Sequence, residues 1–514
     1  MEVSLENSSQ LSQVESEDDE DYLYNKETDE STPLASRRSK NCCGITPWLF
    51  ITTSVCIYGS SFQFGYNIAV VNTPEKVIRH YFTSRNVTMT DFIWSAAVSI
   101  TPIGGLIGAM VGPVLADMFG RKSTLLWNNV IVIIGCIFVF LSHTVTSTGL
   151  LIIGRFIIGI NNGIDTVVVP MFLSEISPTH LRGAVGTLNQ FGIVFGMLVA
   201  NILGLHQVLG TSTGWPYVMS FSVVPAVIQF IILPCCPSSP RYLLIKLNKE
   251  SLARQELRKL QGTYNLEQVI NEMKVEKVKE SKEGTITILQ LLKTKSLRFP
   301  LFLSVLLQIS QQFSGINSVM YYSTSTFRRA GISDPDVATC GTSIVSILMV
   351  GISVFLVERL GRRTLMLTGL AGMFFSYGLI TIGYALEDEH DDLKYVAVVC
   401  TFLVLSFFQI GPGPIPWFMM AELFSQGPRP AATSIAGSAN WLSSFIIAIT
   451  FPSIQDALFP YVFIVYMVFI IILWALIYVF VPETKGKTFE QISRELRRKL
   501  KHSINNEHND IDEN

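Results

Sequence analysis

Residues 308–322 read QISQQFSGINSVMYY, with three glutamines, one asparagine, three serines and two tyrosines inside an otherwise apolar stretch. Amides donate and accept hydrogen bonds at once. They are neutral, so they suit a polyhydroxylated solute better than an ion. On a regular helix Gln308, Gln311, Gln312, Gly315 and Tyr322 fall within about a third of the circumference. Asn317 lies opposite and joins that face only if the chain bends near Gly315, where glycine makes a bend cheap. No Lys or Arg lies near this set. Trp417, Phe408 and Tyr322 could cover the C–H face of a ring-shaped solute. Neutral hydrogen bonds contribute only about 1 kcal/mol each, so binding is expected to be weak, about −4 kcal/mol or millimolar. Polar side chains also glue membrane helices together, and that reading stands beside the binding one.

These groups must be positioned by elements that cross a bilayer. Of 514 residues 49% are hydrophobic and 15% charged, and the apolar residues form runs such as YVFIVYMVFIIILWALIYVFV from Tyr461. A helix of about 20 apolar residues crosses the hydrocarbon core. Twelve spans are expected, at 47–70, 92–115, 124–142, 149–172, 184–206, 214–235, 299–326, 337–357, 364–385, 394–419, 431–452 and 459–481. The fold class is an all-α polytopic membrane protein, with two six-helix halves and a small cytosolic helical unit between them. Net charge is −2, which gives no nucleic-acid footprint. No nucleotide loop, metal cluster or nucleophile–base pair stands out, so no enzyme, cofactor or metal is expected.

Basic residues cluster in alternate loops. Arg37, Arg38 and Lys40 precede span 1, Arg121 and Lys122 follow span 2, Arg182 follows span 4, and Arg359, Arg362 and Arg363 follow span 8. Thirteen Lys and Arg lie between Arg241 and Arg298. By the positive-inside rule both termini are cytosolic. Asn86, in Asn-Val-Thr, then falls in the first outside loop as a glycosylation acceptor. Expected domains are a disordered acidic tail at 1–46, a six-helix half at 47–237, a cytosolic helical linker at 238–298, a second half at 299–482 and a cytosolic tail at 483–514. Ser16 in the first tail is followed by acidic residues, as a kinase could use, but a solvated acidic tail is the preferred reading.

The halves repeat. DMFGRK at 117–122 is echoed by ERLGRR at 358–363, and SEISPTHLRG at 174–183 by AELFSQGPRP at 421–430, about 245 residues later. QFGYN at 63–67 resembles QFSGIN at 312–317 with one residue inserted. GPGPIPW at 411–417 cannot form a regular helix. GINNGID at 159–165, followed by Pro170, extends the pattern to span 4. Interrupted helices are therefore expected at spans 1, 4, 7 and 10, matched positions that point to a transport site.

QISQQFSGINSVMYYSTS, GPGPIPWFMMAELFSQGPRPAA, PMFLSEISPTHLRGA and VPETKGKTFEQI together resemble the facilitative hexose transporters, the sugar-porter branch of the major facilitator superfamily. The resemblance spans about residues 45 to 495. It implies a plasma-membrane uniporter that carries D-glucose or a related hexose by alternating access. Carried over by motif, Gln190, Gln311, Gln312, Asn317, Trp417 and Asn440 would contact sugar, with Gln308, Phe408 and Gln409 around them. Arg121, Glu175, Arg182, Arg241, Glu358, Arg362, Arg363, Glu422, Arg429 and Glu483 would form a cytosolic gate that locks the halves. Three positions depart from the family pattern: Gln409 replaces a glutamate, Ser346 an asparagine, and Ser238 a glutamate. Coupled members carry an aspartate where this chain has Asn67, which argues for uniport. Asp165 is the complication, since a carboxylate inside a span is a functional candidate. Asn161 and Asn162, one turn earlier, could satisfy it; otherwise it could serve proton-coupled symport or touch substrate. A sugar sensor that signals through its tails is a further alternative. Partners are a hexose and the lipid bilayer, and the oligomeric state is not legible.

Overall fold

The structure is a computed structural model and describes residues 46–178, 181–262, 266–283, 286–329, 331–386, 393–425, 427–487 and 491–496. Ser16, the acidic 387–392 segment and the chain ends lie outside these residues. The side chains of Tyr322 and Glu358 are also outside the description.

Eleven helices among the described residues are long and apolar enough to cross a bilayer. They include Asp91–Phe119, Thr148–Ile176, Arg182–Leu203 and Val462–Phe480. The remaining span is the first, built in pieces: an α-helix at Pro47–Cys56, a π-turn at Ile57–Ser61 and a second α-helix at Phe62–Ala69. Twelve crossings result, and no strand occurs among the described residues. Three further helices lie between the halves, at Glu250–Gln261, Leu266–Glu283 and Ile288–Lys293. One large apolar core draws its buried residues from 291–496, while two others draw theirs from 49–260. A small cluster of Ala109, Val167 and Trp441 joins the two sides.

Two of the four expected interruptions follow from backbone chemistry. Span 7 breaks between Lys295–Phe313 and Ile316–Arg329. Gly315 at the break has φ +81°, and a Cβ there would stand 2.6 Å from the Tyr466 ring, so no other residue fits. Span 10 breaks between Leu393–Ile410 and Ile415–Glu422, across Gly411–Pro414. In span 1 the departure is milder, one π-turn with Ser60 and Gln229 bonded beside it at 3.1 Å.

Span 4 corrects the expectation. Thr148–Ile176 is one unbroken helix with Pro170 inside it. Its glycines serve close packing instead: a Cβ on Gly163 would stand 2.1 Å from the Gly105 carbonyl oxygen of span 2. Small residues that let backbones meet are the usual glue of membrane helices, and a proline within a span is tolerated where neighbours supply contacts.

Candidate functional site

The break in span 10 leaves backbone carbonyls that its own helix cannot satisfy. Gln311 answers two of them, its Nε2 donating to Pro412 O at 3.0 Å and Gly413 O at 2.7 Å. Gln308 Nε2 donates to Pro416 O at 3.3 Å. Both glutamines are thereby fixed, with their acyl oxygens turned toward span 11. There Asn440 Nδ2 donates to Gln308 Oε1 at 2.8 Å and to Gln311 Oε1 at 2.7 Å. Gln312 Nε2 in turn donates to Asn440 Oδ1 at 3.0 Å. The break in span 7 swings Asn317 onto the same face, where its Nδ2 donates to Gln312 Oε1 and, at 2.9 Å, to Ser444 Oγ. Gln312 Nε2 also donates to Gln311 Oε1 at 3.4 Å, which closes Gln311, Gln312 and Asn440 into a ring of mutual hydrogen bonds with Gln308 and Asn317 attached to it.

This ring walls a cavity of about 550 Å³, open solvent included. Gln311, Gln312, Asn317, Trp417, Phe408 and Asn440 line it from the C-terminal half. Gln190, Phe64 and Ile193 face them from the N-terminal half. Among the described residues no charged side chain lines it. Gln308 and Gln409 do not reach it: Gln308 stands behind Asn440, and Gln409 accepts from Gln190 Nε2 at 3.0 Å. That last bond ties the two halves. Ser346, at 1% exposure, donates to Thr342 O at 2.8 Å and also stays off the cavity wall.

Trp441 and Ser444 are wall residues that sequence reasoning missed. Trp441 Nε1 donates to Thr166 Oγ1 at 3.2 Å, across the halves, and its ring meets Phe64 edge-on at 5.5 Å. Ser444 lies four residues after Asn440 on one helix, hence on the same face. That spacing was the available signal.

The partner motif in span 1 behaves differently. Gln63 is fully buried and bonded to Gly59 O and to Asn129 Oδ1. Asn67 donates to Asn162 Oδ1 at 3.1 Å and accepts from Ser222 at 2.7 Å. Neither lines the cavity. Asn161 donates instead to Asn128 O at 3.3 Å. Asp165 is therefore not satisfied by Asn161 and Asn162 as the sequence suggested, because both amides face other helices. Among the described residues no hydrogen bond of regular geometry reaches either Asp165 oxygen, and Asn128 and Ser60 are its polar neighbours.

The expected gate residues pair within each half. Arg121 Nη2 meets Glu175 at 2.9 Å in a buried pair. Arg362 meets Glu422 at 3.5 Å in a looser one. Arg241 grips Glu276 at 2.8 Å, a partner absent from the sequence expectation. Glu483 caps the Arg362–Ala385 helix, accepting the backbone N–H groups of Arg362 at 2.9 Å and Arg363 at 3.0 Å. Arg429 donates to Phe424 O at 3.0 Å. Arg182 forms no ion pair among the described residues, and its Nε is buried without a partner. Glu422 lies past its span, and burial raises its carboxyl above the ordinary value against the pull of Arg362, Thr484 and Arg182. Asn86, at φ +58°, is exposed in the loop between spans 1 and 2.

Twelve crossings around an amide-walled cavity lined by uncharged side chains define a membrane carrier of small polar solutes. A family model described as sugar (and other) transporter matches residues 52–496, so the chain belongs to the sugar transporter family. It is 45% identical over 462 residues to the human solute carrier family 2, facilitated glucose transporter member 3, covering 88% of this chain and 92% of that one. Member 4 of the same family from mouse is 44% identical over 468 residues, covering 88% and 92%. Among solved structures, the major facilitator superfamily proton:xylose symporter XylE bound to 6-bromo-6-deoxy-D-glucose superposes with a TM-score of 0.77 at 25% identity. That superposition covers 87% of this chain and 99% of the symporter. The inward-open form of XylE from E. coli gives 0.69 at 24% identity, covering 87% and 99%.

Proposed function

We propose that the protein is a facilitative uniporter of D-glucose and related hexoses, working by alternating access at the plasma membrane with both termini cytosolic. The observation that carries this reading is the uncharged amide ring on the cavity wall. A sugar hydroxyl both donates and accepts, so each amide–amide bond can be exchanged for two amide–hydroxyl bonds without stranding a buried group. Gln311, Gln312, Asn317 and Asn440 make these exchanges, with Gln308 holding Asn440 in place from behind. Trp417 and Phe408 cover the ring's C–H face. Gln190 enters from the other half and is steadied by Gln409, so the sugar is sensed by both halves at once. The relatives' names as facilitated glucose transporters support the hexose. A neutral Asn67, held among other amides, supports uniport.

In this reading residues 47–237 and 299–482 are the two moving halves, joined by the linker 238–298 and flanked by tails at 1–46 and 483–514. The pairs Arg121–Glu175 and Arg362–Glu422 stiffen each half at its cytosolic end. Arg182, Arg241, Arg363, Arg429, Glu358 and Glu483 complete a weak electrostatic gate between them. Asn86 carries a glycan on the outer side.

The test is radiolabelled D-glucose uptake into liposomes holding the purified protein, with and without an inward proton gradient, with L-glucose as control. Saturable, stereoselective uptake that ignores the gradient is expected. Accumulation above equilibrium that needs the gradient would replace uniport with symport through Asp165. Sugar binding without uptake would favour a sensor.

A further inference from the structure

Span 7 is two helices that meet at Gly315, and the backbone ladder resets there. The Gly315 N–H closes on Gln312 O at 3.0 Å. The second helix starts from Gly315 O, which accepts from Ser318 at 3.1 Å and from Val319 at 3.4 Å. The first helix is held by span 10, to which Gln308 and Gln311 are bonded. A helix start leaves its first backbone groups outside the ladder, so side chains of the first turn set how the second helix is rotated about its axis. Two of them are anchored. Asn317 reaches Ser444 of span 11 at 2.9 Å. Ser318 reaches span 12, where its Oγ and Tyr466 Oη share a hydrogen bond.

Tyr466 therefore touches the break twice. Its ring lies flat on Gly315, since a Cβ there would stand 2.6 Å from Cγ and 2.8 Å from each Cδ. Its hydroxyl holds Ser318, the residue next to Asn317. The ring is fixed from behind by Phe451 of span 11, stacked at 6.3 Å, and by Tyr377 of span 9 at 6.1 Å. Ser318 is 1% exposed and Tyr466 5%. Neither hydroxyl has solvent to replace its partner, so removing one strands the other. Asn317 lines the cavity, whereas Tyr466 does not. Packing alone would hold the joint together, but a hydrogen bond also gives it a direction. We infer that Tyr466 is a positioning residue for sugar binding, which acts through Ser318 to aim the Asn317 amide at the cavity. The inference rests on the sugar-carrier reading.

The experiment measures D-glucose uptake into proteoliposomes for wild type, Tyr466→Phe, Ser318→Ala and the double variant. KM and kcat are read separately, and melting temperature in detergent reports folding. Y466F keeps the ring on Gly315 and removes only the hydroxyl. KM is expected to rise about fivefold in Y466F, the scale of one neutral hydrogen bond, with kcat kept. S318A should match it, and the double variant should be no worse than either, because both remove one bond. On an Asn317→Ala background Y466F should raise KM no further. An unchanged KM in both Y466F and S318A overturns the inference, and a lowered melting temperature beside it marks a packing role only. A double variant whose penalty is the product of the two single ones also overturns it, as does a full Y466F penalty on the N317A background. Should Y466F fail to fold, S318A with and without N317A carries the same comparison. Failure of wild type to carry D-glucose at all sinks the carrier reading, and this inference with it; loss of the KM effect alone sinks only the inference.

Discussion

QFGYN at 63–67 and QFSGIN at 312–317 occupy matched places in the two halves, yet only the second turns its amides to the cavity, the first offering Phe64 alone. In the first, the residues sit on one continuous helix, Phe62–Ala69, and their amides bond neighbouring helices. In the second, the additional residue brings a glycine to φ +81°, the helix stops, and Asn317 turns back onto Gln312. One inserted residue separates amides that pack between helices from amides that wall the cavity. Residue type alone does not separate glue from site; the backbone break does.

The most damaging way to break this contrast is Gly315→Val. The new side chain would meet the Tyr466 ring at a backbone conformation L-residues rarely adopt. D-Glucose uptake is expected to fall at least about tenfold, given strain of roughly 1–3 kcal/mol or more, while size-exclusion chromatography reports whether the chain still folds. Next is Asn440→Ala, which strips partners from Gln308, Gln311 and Gln312 together. KM for D-glucose should rise about tenfold, matching about 1–3 kcal/mol for orphaned buried amides. Gln63→Ala sharpens the contrast from the other side. Thermal unfolding should show a loss of about 1–2 kcal/mol with KM little changed; a KM shift equal to that of N440A would erase the distinction between the two motifs.

The smallest effect concerns the ion pairs. Arg121–Glu175 is tight and buried, whereas Arg362–Glu422 is longer and more exposed. The Glu422 carboxyl is raised in the folded protein. A raised acid contributes stability that is fully present below its unfolded value, about 4.3, and declines as pH rises through the folded value. Melting temperature should therefore drop slightly over that window in wild type, and Glu422→Gln should flatten the drop. A larger pH response after E422Q would mean that the two halves are not distinguished at this pair.

Much of this was legible in the sequence because lipid is a severe solvent. Twelve apolar runs, the proline–glycine break at 411–414 and the bend at Gly315 each follow from a backbone or burial rule that acts locally. The amide face of span 7 followed from helical periodicity. What was not legible depends on who sits opposite. The glycines of GINNGID resemble a break but accept a backbone from span 2. Gln308 shares the face of Gln311 yet ends one layer behind it. Asn161 and Asn162 are close to Asp165 in sequence but are claimed by spans 3 and 1. The gate residues were recognised by repeat, whereas their partners within each half needed the fold.

The hydrogen bonds that the wall amides make to one another carry a kinetic consequence. A carrier must reset without cargo, and unloaded polar walls that lacked partners would hold it on one side. Here the wall amides can satisfy one another without cargo, so the unloaded return is expected to face a barrier much like that of the loaded passage. Net uptake into sugar-free vesicles should then run nearly as fast as exchange against internal sugar, with little trans-acceleration.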